Sequence, residues 1–381
     1  MLDLPSLESF ASLHNLREAH LRSLYNHLLR GGAAGCGAAS ARPFPGVEEL
    51  AAKLRACSRA PFPRAAALAL SSQFAPATSS VVFASPSSGG AKLKVSLAGG
   101  AFVETVLIRH ASSRSPTGRR YTVCVSSQSG CARRCSFCST GTMGLRAQLS
   151  GAEILEQVLH AQAYLKSIDE PPSSLTNLVY MGMGEPLDNM PAVLESLRGL
   201  THQSLFGFAP RRVTLSTVGA SPARIRELAD AAPGINLALS LHAANETTRE
   251  RIMPAARAAD FGELEAALDY WAGRSGRGAM LEYLVIPGVN DGGEDARLLA
   301  DFVRRREEGK KSGASVNLIP YNPTLAGEQF LFESPSDEAM VGFKAELGRW
   351  GVGGVIRWST KGGRDVGGAC GQLVVEGEGG G

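Results

Sequence analysis

Three cysteines lie close together in the stretch GCARRCSFCSTG, at positions 131, 135 and 138. Cysteine thiolates are soft ligands that suit iron–sulfur clusters, zinc or copper(I). A structural zinc site needs four ligands, and a disulfide framework needs an even number of cysteines. Cys131, Cys135 and Cys138 could instead hold three irons of a [4Fe–4S] cluster and leave the fourth iron open for chemistry. A zinc site completed by Cys124 or a histidine is the alternative that the spacing leaves open.

Cysteine usage and charge set the class of protein. The chain has seven cysteines in 381 residues, and four of them fall within fifteen residues. This usage argues against a secreted disulfide scaffold and favours a reducing compartment with metal or redox use of the thiols. The net charge is only +3, so binding of a nucleic acid would depend on local basic patches rather than on a global field.

The sequence carries no evident targeting signal. No apolar run approaches the roughly 18 residues that a membrane span requires, so no membrane association is expected. The first ten residues, MLDLPSLESF, contain two acidic residues and no arginine, which is a poor composition for a signal or transit peptide. We expect a cytoplasmic protein, with a chloroplast or mitochondrion as the alternative if the N-terminus is incomplete.

The elements that must position these cysteines alternate regularly from Thr122 onward. Apolar runs predict strands at 122–127, 177–182, 212–217, 235–243, 279–287 and 315–321, with a further one near 352–360. Amphipathic stretches predict helices at 152–166, 190–200, 222–232, 262–273 and 294–308. This alternation is typical of an α/β fold with a parallel sheet. The spacing does not separate an open sheet from a barrel, but both bind ligands at the carboxyl ends of their strands.

Glycine or polar residues follow several of these strands. In GMGEP, Gly184 could admit a ligand to the backbone, and Glu185 could accept a hydrogen bond from an ammonium group. An ordinary strand-to-helix turn is equally compatible with that motif. Further candidates, for which a cap or a satisfied core residue is the alternative, are Ser216, Ser240, Leu241, His242 and Asn322.

Two cysteines lie apart from the three-cysteine motif. Cys124 is on the first predicted parallel strand, and Cys370 is near the C-terminus in GACGQL. A single buried cysteine usually acts as a small hydrophobic residue. Cys370, however, is flanked by glycines at 367, 368 and 371, which indicates a flexible or tightly turned segment.

The spacing of Cys131, Cys135 and Cys138, with Phe137 before the last cysteine, resembles the radical S-adenosylmethionine (SAM) superfamily. That resemblance implies a partial (β/α)6 barrel, here with a small N-terminal helical domain and a β-hairpin extension. Six stretches between about Lys92 and Leu373 resemble, in order, the RlmN-type rRNA adenine-C2 methyltransferases: CVSSQSGCARRCSFCSTGTMG, MGMGEPLDNM, RRVTLSTVGASP, LALSLHAANE, VNLIPYNP and GACGQL.

The resemblance implies two cofactors, a [4Fe–4S] cluster and SAM. The three motif cysteines would hold the cluster, and its open iron would chelate the amino and carboxylate groups of SAM. Gly184 and Glu185 would contact the methionyl moiety. Ser216, Ser240, Leu241, His242 and Asn322 would complete the SAM site.

The resemblance also implies roles for three residues outside the cofactor site. Carbon 2 of adenine is electron-poor and does not act as a nucleophile, so the family delivers a radical to the ring. Cys370 would accept a methyl group from SAM and carry it to the base as a methylene radical. Cys124 would then attack Cys370 as a thiolate and release the product as a disulfide forms. Glu104 would remove the ring proton, although a solvated strand carboxylate is the alternative for this residue.

The implied substrate is an adenine of large-subunit ribosomal RNA, with transfer RNA as a second candidate. The base must leave its stack to reach such a site, and six arginines could hold phosphates or simply form a solvated loop: Arg109, Arg114, Arg119, Arg120, Arg133 and Arg134. A flavodoxin or ferredoxin system is the expected electron donor, and a monomer is compatible with the sequence. The alternatives are a relative that methylates carbon 8 and a non-catalytic RNA-binding protein with a structural metal.

The sequence pattern and the family resemblance together predict that the chain has three parts. Residues 1–90 are expected to form a helical, RNA-binding domain, 91–373 the methyltransferase domain with its core at 117–350, and 374–381 a disordered tail. Within these parts we expect a loop at 79–90, a hairpin at 91–108 and a polar loop at 109–120. One extra residue before Asp365 and Ala-Gln-Leu at 147–149 depart from the family pattern.

Overall fold

The computed structural model describes residues 79–358, apart from 114, 116, 204 and 308–314, and residues 367–374. Nearer the N-terminus it describes residues 4–14 and 16–21 and isolated positions up to 70. Within this part of the chain no helix has the length and apolar character needed to cross a bilayer.

The described residues contain twelve strands, ten of which form one sheet. The strands are β1 (Ser80–Ser87), β2 (Gly90–Ser96), β3 (Phe102–Ala111), β4 (Arg119–Val125), β5 (Gln128–Gly130), β6 (Leu145–Gln148), β7 (Leu175–Tyr180), β8 (Val213–Thr217), β9 (Asn236–Ser240), β10 (Met280–Val285), β11 (Ser315–Pro320) and β12 (Gly354–Ile356). The large sheet has the order β1-β2-β3-β4-β7-β8-β9-β10-β11-β12. Strands β5 and β6 form a separate antiparallel ribbon.

The seven strands β4 and β7 to β12 are parallel and follow one another in the sheet in chain order. Right-handed crossovers that always step in one direction place all helices on the same face of a sheet. This order therefore builds the wall of a barrel rather than a doubly wound open sheet. The sheet does not close, because β1 and β12 are its edges. The predicted partial barrel with a hairpin extension is confirmed.

The sheet curls so that its far ends approach each other. The pKa of His110 on β3 is lowered by burial and by the charges of Arg120 and Arg357. Arg357 follows β12, at the opposite edge of the sheet. The charge of Arg357 contributes to the lowered pKa of His110, as expected for a sheet that curls into a partial barrel.

Ten helices accompany the strands in the described residues. They are α1 (Leu4–Leu13), α2 (Ser139–Thr142), α3 (Gly151–Ser167), α4 (Met190–Thr201), α5 (Pro222–Ala231), α6 (Glu246–Ile252), α7 (Phe261–Ser275), α8 (Gly293–Glu307), α9 (Leu325–Glu328) and α10 (Asp337–Arg349). Local chemistry sets several of their ends. Helix α3 begins with a capping box between Ser150 and Glu153, and α7 ends at Gly276 with a φ of 69°.

The core lies between the helices and one face of the sheet. Trp271 of α7 and Phe302 of α8 are fully buried in the same cluster as Leu239 and Leu281. Side chains alternate across a strand, so the residues next to Leu239 and Leu281 in the chain, Ser240 and Glu282, face the lumen instead.

Two loop predictions were wrong. Segment 79–90 contains β1, whose Ser, Pro and Gly content suggests a loop but whose backbone pairs along β2. The predicted loop 109–120 shrinks to 112–118, because β3 and β4 extend into it.

Several predictions fall on residues outside this description. They include most of the helical domain expected at 1–90, the departure before Asp365, and the tail beyond Val374. Leu7, Phe10 and Leu70 belong to the same core cluster as the sheet. The division into domains stays a prediction.

Candidate active site

The cysteine loop, residues 131–138, is held between the two strands of the β5–β6 ribbon. Gly130 ends β5 with a φ of 76°, and a Cβ atom there would lie 1.8 Å from the carbonyl oxygen of Gly144. That same oxygen accepts a hydrogen bond from the N–H of Cys131 at 2.9 Å. Only glycine fits at position 130, so this residue fixes where the loop leaves the ribbon.

The three motif thiols are half-buried and free. Burial raises the pKa of Cys131 to about 12 and raises the pKa of Cys135 well above its usual value. Thiolates at these positions therefore need a cationic partner, such as iron, to be stable.

The chemistry of these thiols suits an iron–sulfur cluster. Thiolates are soft ligands of such clusters, and each of three thiolates can bind a different iron of a [4Fe–4S] cluster. The donor set of Cys131, Cys135 and Cys138 thus fits the cluster.

Gly184 and Glu185 follow β7 and pack against Gln128. Gly184 has a φ of 97°, and a Cβ atom there would lie 2.6 Å from the Gln128 side chain. The N–H of Glu185 donates to Gln128 Oε1 at 2.8 Å. Both carboxylate oxygens of Glu185 accept from backbone N–H groups, those of Leu187 at 3.1 Å and Val218 at 2.9 Å. Burial raises the pKa of Glu185, and these donors oppose the rise.

Ser216 and Ser240 meet at the carboxyl ends of β8 and β9. Their hydroxyl oxygens are 3.2 Å apart. Leu241, the next residue, has its side chain in the core, so only its backbone can face a ligand. Asn322 is buried after β11 and donates to the carbonyl oxygen of Pro320 at 3.3 Å.

His242 is a neutral imidazole wedged against the cysteine loop. Burial and the charge of Arg249 lower its pKa to about 3. Its Nδ1 accepts a hydrogen bond from the N–H of Leu284 at 3.0 Å, so the ring proton is on Nε2. The ring packs edge-on against Phe137, with centroids 4.9 Å apart.

The C-terminal segment, residues 367–374, is clamped against the cysteine loop. The carbonyl oxygen of Gly371 accepts from the N–H of Ser139 at 2.7 Å, and that of Leu373 accepts from the hydroxyl of Thr140 at 2.6 Å. Gly371 has a φ of 82°, and a Cβ atom there would lie 2.9 Å from the carbonyl oxygen of Phe137. These contacts place Cys370 beside the residues that follow Cys138.

Cys124 and Cys370 face the same region as two free thiols. Cys124 is buried on β4, and its pKa rises to about 12 through burial and the proximity of Cys370. Cys370 retains exposed surface, although dense surrounding protein raises its pKa to about 11, with further contributions from Glu282 and Cys138. Cys370 is therefore accessible at its surface while neighbouring protein surrounds it closely.

Glu104 links the hairpin to the C-terminal segment. It lies on β3 two residues from Val106, the register partner of Cys124, so both side chains share one face of the sheet. One carboxylate oxygen pairs with Lys92 at 2.8 Å, and the other accepts from the N–H of Val374 at 3.0 Å. Burial raises the pKa of Glu104, and Lys92 and Val374 oppose the rise.

The structure separates the six arginines considered for phosphate binding. Arg119 pairs with Glu170 at 2.7 Å, and Arg133 pairs with Asp188. Arg109 and Arg119 line a cavity of about 470 Å³ at the hairpin end of the sheet. Arg114 lies outside the described residues.

Sequence reasoning missed three residues that shape the site. Gln128 supports Glu185, and buried Arg249 donates to the carbonyl oxygens of Leu241 and Val218. Glu282 is a buried carboxylate on β10. An acidic residue inside the apolar run MLEYLV was the signal that could have identified Glu282.

Known proteins are similar to this chain in sequence and in fold. Residues 125–302 match the family model of the Radical SAM superfamily. The dual-specificity RNA methyltransferase RlmN of Nitratidesulfovibrio vulgaris is 42% identical over 285 residues, covering 75% of this chain and 74% of that protein. A probable enzyme of the same name from Thermus thermophilus is 39% identical over 315 residues, 82% of each chain. The crystal structure of a radical SAM methyltransferase from Sphaerobacter thermophilus has a TM-score of 0.79 and 32% identity, with 97% of both chains covered.

A partial barrel with a three-cysteine loop at the carboxyl end of its first parallel strand defines a radical SAM enzyme, whose cofactors are a [4Fe–4S] cluster and SAM. Within that class, the chain belongs to the RlmN family of radical SAM RNA methyltransferases. Membership contradicts the alternative of a non-catalytic RNA-binding protein with a structural metal.

Proposed function

We propose that this enzyme methylates carbon 2 of an adenine in RNA and uses Cys370 as the methyl carrier. Large-subunit ribosomal RNA is the proposed substrate, with transfer RNA as a second one. The observation that supports this most is the clamp on the C-terminal segment, which holds Cys370 beside the cysteine loop and within electrostatic reach of Cys124.

The cofactor site combines cysteine ligands with the strand ends. The [4Fe–4S] cluster held by Cys131, Cys135 and Cys138, together with SAM, supplies one-electron chemistry that generates a radical. Gly184 leaves room for the Gln128 side chain that supports Glu185, and the neutral ring of His242 keeps an N–H at Nε2. We assign SAM binding to Gly184, Glu185, Ser216, Ser240, Leu241, His242 and Asn322.

The two thiols differ in exposure, and this difference suits a division of roles. Cys370 is an exposed residue, which suits a thiol that a methyl donor and a base must reach. Cys124 is buried, and the proximity of Cys370 contributes to its raised pKa. Both properties suit a thiol that attacks only Cys370. Glu104, which shares a face of the sheet with Cys124 and accepts from Val374 of the C-terminal segment, is the proposed acceptor of the ring proton.

The test is nucleoside mass spectrometry of RNA after incubation with the reconstituted enzyme, SAM and a one-electron reductant. We expect 2-methyladenosine from the native protein and none from Cys370→Ala. The Cys124→Ala variant should leave RNA covalently joined to protein, because the thiol that releases the product is missing. Cys36→Ala, which removes a cysteine outside both motifs, is the matched control and should behave as the native protein.

Two results would contradict the proposal. A product of 8-methyladenosine would assign the chain to the carbon-8 alternative. Full activity in Cys370→Ala would exclude a methyl-cysteine carrier.

The cellular setting is proposed from sequence alone. We propose a cytoplasmic monomer reduced by a flavodoxin or ferredoxin system. Helical residues near the N-terminus and the cavity beside Arg109 are the proposed additional RNA contacts.

A further inference from the structure

Three polar side chains form a hydrogen-bonded chain across the end of the barrel wall. Glu282 on β10 and Asn317 on β11 are register partners, and Arg357 follows β12. Asn317 Nδ2 donates to Glu282 Oε1 at 2.8 Å, and Arg357 Nε donates to Asn317 Oδ1 at 2.8 Å. We call these residues the Glu–Asn–Arg chain.

Arg357 fixes the polarity of this chain. A guanidinium group can only donate, so the amide oxygen of Asn317 must face Arg357 and the amide NH₂ must face Glu282. Oε1 of Glu282 is therefore an acceptor with a fixed partner. The carboxylate is held by Asn317 of the neighbouring strand, whose amide is in turn oriented by Arg357.

The other carboxylate oxygen, Oε2, has no hydrogen-bond partner among the residues that the structure describes. Oε2 also keeps some accessible surface, because it is not one of the fully buried, unpartnered polar atoms among the described residues. Glu282 is only 6% exposed as a residue and faces the lumen side of β10, so we take Oε2 to open into the lumen rather than to bulk solvent. A buried acceptor in this position is a binding group for a donor supplied by a ligand.

Glu282 lies between the residues proposed to bind SAM and Cys370, the proposed methyl carrier. It is the register partner of Ser240, and its carbonyl oxygen accepts from the N–H groups of Leu241 at 3.0 Å and His242 at 3.2 Å. On its other side, the negative charge of Glu282 contributes to the raised pKa of the Cys370 thiol. The open oxygen thus faces the space that the target base must enter to meet Cys370.

We propose that Glu282 Oε2 accepts a hydrogen bond from the exocyclic amino group of the target adenine, and that the Glu–Asn–Arg chain thereby selects adenine. This inference rests on the proposed function. Burial raises the pKa of Glu282, whereas Asn317 and Arg357 lower it and favour the ionised form. In that form the carboxylate accepts and cannot donate, so it favours a base with an amino group over a purine that lacks one. The Glu–Asn–Arg chain positions the carboxylate before the base binds, which strengthens the discrimination between adenine and a purine without an amino group.

The test compares two RNA substrates that differ only at the target position, one with adenosine and one with purine riboside, which lacks the amino group. For the native enzyme, kcat/KM should be about tenfold to a hundredfold lower on purine riboside, the range for a lost hydrogen bond to a charged group. Glu282→Gln should lose a similar factor on adenosine, because Asn317 turns the glutamine NH₂ toward the base. It should lose little more on purine riboside, since coupled changes are not additive.

A second measurement separates the base from SAM, whose own adenine also carries an amino group. Methylation of Cys370 by SAM, followed by intact-protein mass spectrometry, should not fall in Glu282→Gln, because loss of the nearby negative charge lowers the pKa of the Cys370 thiol and favours its thiolate. An equal loss of SAM affinity and Cys370 methylation would assign Oε2 to SAM and overturn the inference. Preference for adenosine retained in Glu282→Gln would overturn it as well.

Controls keep the result interpretable. Glu294→Gln on α8 removes an exposed carboxylate paired with Arg297 and should leave both substrates unaffected. Glu282→Asp keeps the charge but withdraws the oxygen, so it should also lose the preference for adenosine; iron content and circular dichroism report whether each variant is folded. A native enzyme that methylates neither substrate would refute the proposed function itself, and the inference with it.

Discussion

Glu104 interacts with two partners at once, and both affect the pKa that governs its proposed action as a base. Its carboxylate is engaged by the Lys92 ammonium and by the N–H of Val374. Burial favours the protonated form, whereas both partners favour the ionised form. The pH at which Glu104 becomes a competent proton acceptor therefore depends on Lys92.

Replacing Lys92 by methionine should move the acid limb of the pH–rate profile to higher pH. Lys92 lowers the pKa of Glu104, so its removal raises that pKa. A general base is active above its pKa, so methylation should fall severalfold at mildly acidic pH and change little at alkaline pH. Single-turnover rates across pH measure this effect.

Lys94→Met is the matched control for this prediction. Lys94 also lowers the pKa of Glu104, but it is the smallest of the contributions. The acid limb should move in the same direction by less. An unchanged profile in Lys92→Met would show that Glu104 is not the base.

At the scale of elements, the C-terminal segment is a short irregular stretch that depends on its neighbours. It makes hydrogen bonds to the start of α2, to the loop before α9 and to Glu104 on β3. Its position is therefore determined by tertiary contacts rather than by its own secondary structure. The closest approach is at Gly371, under the carbonyl oxygen of Phe137.

Gly371→Ala should separate Cys370 from the cysteine loop. An added Cβ would lie 2.9 Å from the oxygen of Phe137, and the φ of 82° is unfavourable for alanine by about 1–2 kcal/mol. Methylation of RNA should fall at least tenfold. Gly276→Ala, with a φ of 69° and nothing within 4 Å of the added Cβ, carries the same backbone cost without the clash.

Urea unfolding and RNA methylation distinguish the two glycine variants. Both should lose a similar small amount of stability, and only Gly371→Ala should lose activity. Equal activity in both variants would mean that the segment does not need this close approach.

For the whole molecule, local patterns predicted the wall of the barrel better than its lumen. Cys131, Cys135 and Cys138 stand out because their spacing is local. Glu282 did not, because Asn317 and Arg357 come from 35 and a further 40 positions along the chain. Only the register of three strands brings them together. Segment 79–90 was missed for a related reason, since β1 exists through its pairing with β2 rather than through its composition.

Removal of iron should leave the barrel folded. The cysteine loop packs on a small apolar cluster around Phe137, Ile252 and Tyr321, which is separate from the main core of sheet and helices. Chelated protein should keep its far-ultraviolet circular dichroism and a cooperative melt, with a melting temperature lower by a few degrees because a bound group is lost. Loss of the helical signal would contradict this separation of site and core.

The clamp on the C-terminal segment also has a consequence during biosynthesis. Translation proceeds from the N-terminus, and every strand of the barrel precedes Cys370 in the chain. A nascent chain that ends before Gly367 contains the strands and the cysteine loop but lacks the proposed methyl carrier. The proposed carrier therefore becomes available only after the strands of the barrel have been made.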